Sequence, residues 1–349
     1  MSSGPVRVSV FGKTDLGRAR DHNEDTFLVA DLSTGHASLQ PDVRDHVIGP
    51  RGSLFMVADG MGGAAAGELA SQMAVDLIHR HLASVWAAEG DVSAEQFAFR
   101  MREALERANR HIHDYAKQHA EVRGMGTTAT VAGVYGTGLW LAQIGDSRGY
   151  LARGDEIIQL TKDQSLMQRL VDAGELTEEE AEQSERRNII LQALGPDPKV
   201  KVDLTHQPLR RGDTLVICSD GLSSLVRREE IGELLAQNSD PSSACNALID
   251  LANGRGGPDN ITVVIARFEG EGLDEADESS EVGYQEYELP DSPTTDDFVV
   301  PPAPPSGSEP PAPPADPPNR GGFPLRLVAG VIALGLLLLV ARCGAGSAP

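Results

Sequence analysis

Two periodicities of apolar residues alternate along the first 268 positions. Short runs rich in β-branched and aromatic residues predict strands at 6–11, 26–30, 54–58, 128–134, 139–144, 214–218 and 261–268. Helical spacing of apolar residues predicts two long helices, at about 64–87 and 93–118. Ser93, with Gln96 three positions later, has the form of a capping box. Glycines at 136 and 138 between two strands predict a hairpin.

Hairpins together with paired helices favour an α+β fold in which antiparallel sheets pack face to face with helices on their outer faces. The stretch 162–185 is polar, acidic and helical, and it predicts a small appended subdomain, here called the flap, at about 162–195. We therefore expect one folded domain over residues 1–268, a four-layer α-β-β-α sandwich that carries the flap on its surface.

The composition changes after residue 268. Residues 269–319 contain fourteen acidic residues and no Lys or Arg, and residues 301–318 contain ten prolines. This composition predicts a disordered linker over 269–322, acidic at first and then proline-rich. Residues 327–341 carry no polar side chain. They predict a single transmembrane helix at 325–341 with a short tail at 342–349, because flanking arginines can extend to the membrane interface. A buried core helix is the alternative.

Charge, cysteine content and the N-terminus limit the class of protein. The chain of 349 residues has 30 Lys and Arg against 52 Asp and Glu, a net charge of −22, which argues against nucleic-acid binding. Cys218, Cys245 and Cys343 are too few and too scattered for a disulfide framework. No apolar signal segment opens the sequence. We therefore expect a cytoplasmic catalytic domain held at the cytoplasmic (inner) membrane by one C-terminal helix.

Four aspartates stand at the ends of predicted strands. Asp59 and Asp220 follow apolar runs and precede glycine, Asp146 follows another run, and Asp259 precedes the last strand. Carboxylates gathered at one edge of a sheet repel one another unless cations neutralise them, and oxygen ligands suit Mg²⁺ or Mn²⁺. Each aspartate taken alone also fits an ordinary turn. From these residues by themselves, both a metal site and a set of turns stay open.

Six ordered motifs make the pattern more specific. They are Arg20-Asp21-His22-Asn23-Glu24-Asp25, Val57-Ala58-Asp59-Gly60-Met61-Gly62-Gly63, Gly126-Thr127-Thr128, Gly145-Asp146-Ser147-Arg148, Ser219-Asp220-Gly221 and Gly257-Pro258-Asp259-Asn260-Ile261-Thr262. In this order, the chain resembles the metal-dependent protein phosphatases (the PPM family, protein phosphatase type 2C) in their bacterial form. The resemblance covers about residues 6–268.

The resemblance implies a first pair of metal ions. Asp59 would bridge the two ions, with the carbonyl oxygen of Gly60 on one of them. Asp220 and Asp259 would complete the first site. Two such ions lower the pKa of a bridging water, so that hydroxide forms near neutral pH and attacks phosphorus in line.

The resemblance also assigns roles around the second metal ion, at a third ion and at the substrate phosphate. Glu24 would reach the second ion through water, and Asp25 would stand in its outer shell. Asp146 would contribute to the third ion that bacterial members bind. Arg20 would clamp the substrate phosphate, since its planar fork matches two phosphate oxygens.

The activity implied is Mn²⁺- or Mg²⁺-dependent hydrolysis of phosphoserine and phosphothreonine on proteins, with membrane-bound Ser/Thr kinases among the phosphoprotein partners. The sequence departs from the family at Met61, where members from other kingdoms have a histidine discussed as general acid, and at Gln164, where a flap histidine is common. Two alternatives stay open: a phosphatase of the same fold in a sigma-factor pathway, and a membrane-anchored pseudophosphatase or adaptor. The presence of Asp59, Asp220 and Asp259 argues against the pseudophosphatase.

Overall fold

The structure is a computed structural model, and it describes residues 4–289 except 43, 91, 185, 187, 278 and 279. The strands are β1 (Arg7–Asp15), β2 (Asp25–Asp31), β3 (His36–Ser38), β4 (Arg44–Val47), β5 (Ser53–Met61), β6 (Gly126–Thr127), β7 (Ala129–Tyr135), β8 (Gly138–Ile144), β9 (Arg148–Arg153), β10 (Glu156–Gln159), β11 (Asp203–Pro208), β12 (Thr214–Cys218) and β13 (Ile261–Glu269). The α-helices are α1 (Ala64–His81), α2 (Ala94–Gln118), α3 (Leu166–Asp172), α4 (Glu178–Glu182), α5 (Asp220–Ser223), α6 (Arg228–Gln237) and α7 (Pro241–Gly254).

The strands form two antiparallel sheets. One sheet has the order β10-β9-β12-β13-β1-β4, and the other has the order β11-β8-β7-β5-β2-β3 with β6 attached to β5. Helices α1 and α2 cover the second sheet, while α5, α6 and α7 lie on the first. The predicted α+β sandwich of two antiparallel sheets flanked by helices is therefore confirmed.

Alternation along the central strands produces the layers. On β5, Leu54 and Met56 pack towards the helices, whereas Phe55 and Val57 pack between the two sheets, and all four are fully buried. Successive side chains of a strand point to opposite faces, so a strand buried on both sides is apolar throughout. Because β5 is buried on both faces, its sequence is the continuous apolar run that predicted the strand.

The two predicted long helices are present, with different ends. Helix α1 ends at His81, and the chain continues as a π-helix over Leu82–Trp86. The Ser93 hydroxyl caps α2 by accepting from the backbone N–H of Gln96. The other half of the expected capping box is absent, because the side chain of Gln96 donates to Glu89 instead.

The flap lies between β10 and β11 and contains α3 and α4, as predicted. Its two ends meet at an antiparallel bridge between Ser165 and Ile190. Leu166 reinforces this base by donating its backbone N–H to the carbonyl of Ile189. The flap therefore leaves and rejoins the domain at one place.

The structure extends the folded part beyond the predicted boundary at 268. The described residues between 270 and 289 are here called the strap, and within them Glu286 lies opposite Thr205 of β11. Leu273 is fully buried in the core between the sheets, and Tyr287 and Leu289 pack against the core under α1 and α2. A few apolar residues within an acidic segment supply these contacts, and average composition concealed them.

The rest of the predicted linker, the predicted transmembrane helix at 325–341 and the tail at 342–349 lie outside the described residues. Among the helices of the described part, none combines the length and the apolar character needed to cross a membrane.

Candidate active site

The predicted acidic residues meet where the ends of the two sheets come together. Asp25 on β2 lies directly opposite Asp59 on β5 in the second sheet. In the first sheet, Asp220 follows β12 and Asp259 precedes β13, and these two strands are neighbours. The carboxyl groups of Asp59 and Asp220 lie within hydrogen-bonding reach of each other across the two sheets.

This proximity changes the pKa values of Asp59 and Asp220. Burial, together with the charges of Asp25 and Asp220, raises the pKa of Asp59 well above its usual range. Burial and the charge of Asp259 raise the pKa of Asp220 in the same direction. Carboxyl groups this close are not stable as bare anions, so a proton or a cation must lie among them.

Asp25 is held by two hydroxyl groups. Its Oδ2 accepts hydrogen bonds from Ser219 Oγ at 2.8 Å and from Thr262 Oγ1 at 2.6 Å. Burial raises the pKa of Asp25 to about 7 in spite of these bonds. Ser219 and Thr262 were not among the candidate site residues, although each belongs to a motif and Ser219 directly precedes an acidic residue. A hydroxyl within such a motif is the signal that could have identified them.

Asp146 lies in the turn between β8 and β9 and is 7 % exposed. Its Oδ1 is buried and has no hydrogen-bond partner among the described residues. Burial and the nearby charges of Asp220 and Asp163 raise its pKa to about 8. The unpartnered oxygen is a donor atom available to a cation.

The backbone of Asp59 is fixed by two threonines. Thr128 donates its N–H to the Asp59 carbonyl at 2.8 Å, and Asp59 donates its own N–H to Thr128 Oγ1 at 3.0 Å. Thr127 Oγ1 adds a bond to the same carbonyl at 2.9 Å. Thr128 Oγ1 also contacts Ser147 Oγ at 2.8 Å, which connects Asp59 to the turn that carries Asp146.

Glu24 approaches the site beside the first turn of α1. A Cβ atom at Gly67 would collide with the Glu24 carboxylate, so glycine is required there for this approach. The Glu24 carbonyl accepts from the N–H of Gly60 at 3.1 Å. Burial raises the pKa of Glu24 although Arg20 opposes the shift. Gly60 and Glu24 are thus adjacent to Asp59, as the resemblance implied.

Arg20 contacts a predicted metal ligand. Its Nη2 donates to Asp259 Oδ2 at 2.7 Å, and the two side chains are 49 % and 31 % exposed. The second oxygen of Asp259 accepts the N–H of Asn260 at 2.9 Å. In the part of the chain that the structure describes, no three Asp, Glu, His or Cys side chains already surround a single ion position. One oxygen of Asp259 is therefore paired with Arg20.

The chemistry of the donor set fits divalent cations. The side chains are carboxylates in mutual contact, with raised pKa values and one orphaned buried oxygen. Hard divalent ions prefer such oxygen ligands, and their charge would remove the repulsion among them. The candidate site residues lie in this region of the molecule: Arg20, Glu24, Asp25, Asp59, Gly60, Asp146, Asp220 and Asp259. His22 is exposed, and its backbone carbonyl accepts from Asn260.

Known protein sequences match most of the part that the structure describes. The sequence model of the family described as protein phosphatase 2C matches residues 37–253. The serine/threonine phosphatase Stp of Listeria innocua is 38% identical over 254 residues, which are 72% of this chain and 93% of that protein.

Solved structures share the fold at similar identity. The serine/threonine phosphatase of S. agalactiae has a TM-score of 0.65 and 35% identity, with 74% of this chain and 98% of that chain covered. The catalytic domain of the serine threonine protein phosphatase PstP, solved with two manganese ions, has a TM-score of 0.62 and 35% identity, with 76% and 99% covered. With the fold, the ordered motifs and the clustered carboxylates in agreement, this chain belongs to the protein phosphatase 2C family.

Proposed function

We propose that this protein is a metal-dependent protein phosphatase that hydrolyses phosphoserine and phosphothreonine. The observation that carries the proposal is that the two sheets join at these acids: Asp25, which lies opposite Asp59, accepts a hydrogen bond at 2.8 Å from Ser219, the residue before Asp220. At the same place, Arg20 pairs with Asp259 at 2.7 Å. The carboxylates can bind divalent cations, and the nearby arginine can bind phosphate. Together these are the groups that a metal-assisted phosphate hydrolase needs.

The cations are Mn²⁺ or Mg²⁺. Asp59, Asp220 and Asp259, with the Gly60 carbonyl, would hold them at the junction of the sheets, and Glu24 and Asp25 would support that group from the side of β2. Asp146, with its unpartnered oxygen, would hold a third ion. When bound, such ions supply hydroxide near neutral pH and offset charge on the phosphate oxygens.

Residues of the chain bind and orient the substrate. The half-exposed guanidinium of Arg20 would exchange its bond with Asp259 for two phosphate oxygens, which its planar fork matches. Asn260 holds the loop that carries Arg20, since its Nδ2 donates to the carbonyls of Leu16 and His22 at 3.0 Å each. Met61 has no proton to give, so water would protonate the leaving serine or threonine oxygen.

The experiment is hydrolysis of a phosphothreonine peptide by the full-length chain in detergent, with Mn²⁺ and then with excess EDTA. We expect turnover only with the metal, and loss of turnover in Asp59→Asn. Asp76→Asn is the matched control, because Asp76 is an exposed acid on α1 paired with Arg80. Activity that persists in EDTA would exclude the metal mechanism. Peptide binding without turnover would favour the pseudophosphatase.

We also propose, from the sequence, that residues 325–341 anchor the protein in the cytoplasmic membrane with the catalytic domain in the cytoplasm. Supporting features are the unbroken apolar run at 327–341 and the acidic and proline-rich residues before it. Substrates close to the membrane, such as phosphorylated Ser/Thr kinases, would then meet the enzyme at high effective concentration. Membrane fractionation of the full chain and of a chain ending at residue 289 tests this: only the full chain should sediment with membranes.

A further inference from the structure

Gln164 occupies the point where the flap meets the turn that carries Asp146. Its backbone N–H donates to the carbonyl of Gly145 at 2.9 Å. Its own carbonyl accepts from the N–H of Leu191, at the other end of the flap, at 2.7 Å. One residue therefore connects the start of the flap, the end of the flap and the residue before Asp146.

The side chain of Gln164 adds a second connection to the same turn. Its Oε1 accepts from the backbone N–H of Gly145 at 2.9 Å, and its Nε2 donates to Asp203 Oδ2 at 2.8 Å. The carboxylate of Asp203, on the edge strand β11, is largely buried, with 16 % of its side chain exposed. A bond from an amide to a carboxylate is stronger than one between neutral groups. The two partners fix which end of the amide faces the turn.

The turn is the main restraint on Asp146. The Asp146 carboxylate is buried, and the unpartnered Oδ1 described above leaves its direction to the backbone. Gly145 has φ of +103°, and a Cβ there would stand 2.6 Å from the Cγ2 of Thr128. On the far side of the turn, the Ser147 carbonyl accepts from Thr130 Oγ1 at 2.8 Å. Gln143 Nε2 donates to the carbonyls of Gly145 and Ser147 at 3.2 and 3.0 Å, and Gln164 ties the near side of the turn to the flap.

From this arrangement we propose that Gln164 is a positioning residue that aims the Asp146 carboxylate into the site and couples its direction to the flap. The inference rests on the proposed function, because it concerns the third cation of that site. Residues that orient metal ligands typically change metal affinity by about 10- to 100-fold when replaced.

The test compares two glutamines of the flap in the full-length chain in detergent. Gln164→Leu removes the side-chain bonds to Gly145 and Asp203, and a longer one to the Lys201 carbonyl, at similar volume. Gln168→Leu is the matched control, because Gln168 lies on α3 and its side chain donates to Asp172 of the same helix. We expect the weakest Mn²⁺-binding step, measured by calorimetry, to weaken about 10-fold in Gln164→Leu and to stay unchanged in Gln168→Leu.

Hydrogen exchange supplies a readout that does not depend on activity. The amide of Gly145 should exchange faster in Gln164→Leu, since its bond to the side-chain oxygen is lost. The amide of Leu191 should follow, because the backbone carbonyl that accepts its bond belongs to Gln164 and is no longer tied to the turn by the side chain. In turnover assays at limiting Mn²⁺, kcat should fall while KM for the phosphopeptide changes little, because Asp146 acts through the metal group and Arg20 through the phosphate.

A reciprocal exchange separates positioning from general damage to the flap. Gln164→Glu keeps an acceptor for Gly145 but sets two carboxylates against each other at Asp203. Gln164→Glu combined with Asp203→Asn restores one donor and one acceptor in exchanged places. We expect the single variant to lose Mn²⁺ affinity and the double variant to recover most of it.

Two outcomes overturn the inference. One is unchanged Mn²⁺ affinity and amide exchange in Gln164→Leu. The other is an equal loss in Gln164→Leu and Gln168→Leu with no recovery in the double variant, which would show a general effect on the flap. Turnover by the parent chain is measured in the same series and tests the proposed function separately, since Mn²⁺ binding and amide exchange do not require it.

Discussion

Arg20 and Asp259 form an ion pair at 2.7 Å, which joins the residue expected to bind phosphate to a residue expected to bind a cation. The hydrogen bond to Asp259 raises the pKa of Arg20 further, and Glu24 and Asp59 add to this through their charges. The guanidinium and a divalent ion would therefore compete for the same carboxylate. Metal binding and phosphate binding become linked through this one pair.

The pair predicts opposite effects of Arg20→Ala on the two ligands. KM for a phosphopeptide should rise about 10- to 100-fold with a smaller change in kcat, because a charge-assisted bond of about 1.5–3 kcal/mol is lost in ground state and transition state alike. Mn²⁺ should bind more tightly, about two- to fivefold, because a competing positive charge is removed. Steady-state kinetics and calorimetry measure the two changes.

Arg18→Ala is the control for this prediction, because Arg18 lies in the same exposed loop. It should leave KM and Mn²⁺ affinity near the parent values. If KM in Arg20→Ala stayed unchanged, another residue would bind the phosphate. Weaker Mn²⁺ binding in that variant would contradict the competition between the guanidinium and the ion.

Asn260 should act on the substrate through the same loop. Besides its two bonds to the carbonyls of Leu16 and His22, its Oδ1 accepts from the N–H of Glu24 at 2.8 Å. Asn260→Ala releases these three bonds, so Arg20 should lose its fixed position and KM should rise about 10-fold. In a double-mutant cycle, Asn260→Ala should add little to Arg20→Ala, since both remove one function. Additive effects on KM would show that Asn260 acts elsewhere.

Mn²⁺ should raise the free energy of unfolding, because it binds the folded state, where it neutralises the repelling carboxylates. At a concentration 100 times the dissociation constant, binding to the folded state adds about 2.7 kcal/mol. Without metal, Asp59→Asn should unfold at a higher temperature than the parent, because one of the mutually repelling carboxylates is gone. With Mn²⁺ the order should reverse. Thermal unfolding in EDTA and in Mn²⁺ checks this, and a parent chain indifferent to Mn²⁺ would contradict it.

The sequence was sufficient for the layers and for the principal acidic residues. The central strands are apolar on both faces, so β5, β12 and β13 could be recognised from continuous apolar runs. Asp59 and Asp220 could be identified as candidates because Asp59 follows such a run directly and Asp220 follows another after Ser219. The position of these aspartates at strand ends indicated where a site could lie, whereas their spacing alone did not show that the site binds metal.

Other features depend on contacts between distant positions. The bond from Gln164 to Asp203 joins residues 39 positions apart, and the ion pair of Arg20 joins residues 239 apart. The edge strand β11 includes half-buried and buried polar residues, so it has no apolar run to mark it. The strap was missed for a related reason: its strand-like pairing with β11 is made by the backbone, which composition does not report.

A buried acid away from the site predicts a response to low pH. Burial alone would raise the pKa of Glu103, but hydrogen bonds from His81 and Arg100 outweigh it and lower the pKa from 4.5 to about 2. A depressed pKa contributes stability above the unfolded value of 4.5, and this contribution disappears as the pH falls towards 2. In EDTA, the parent should therefore lose more stability between pH 6 and pH 3 than Glu103→Gln does.

Urea unfolding at both pH values measures this difference. Glu106→Gln is the matched control, because Glu106 lies on the same helix with 35 % of its side chain exposed. The control should follow the parent. Equal pH dependence in the parent and in Glu103→Gln would show that the network around Glu103 does not depress its pKa.

The strap should be part of the stable domain rather than part of the linker. A chain ending at residue 268 lacks Leu273, which is fully buried between the sheets, and leaves β11 without its partner at Glu286. Loss of a buried leucine side chain costs about 2–5 kcal/mol, so this chain should unfold at a clearly lower temperature than one ending at residue 289. Leu273→Ala in the longer chain should reproduce much of the loss, whereas Leu39→Ala, at an exposed leucine, should not. Calorimetry of the four proteins decides the boundary: equal unfolding temperatures for the two truncated chains would place the end of the domain at 268 after all.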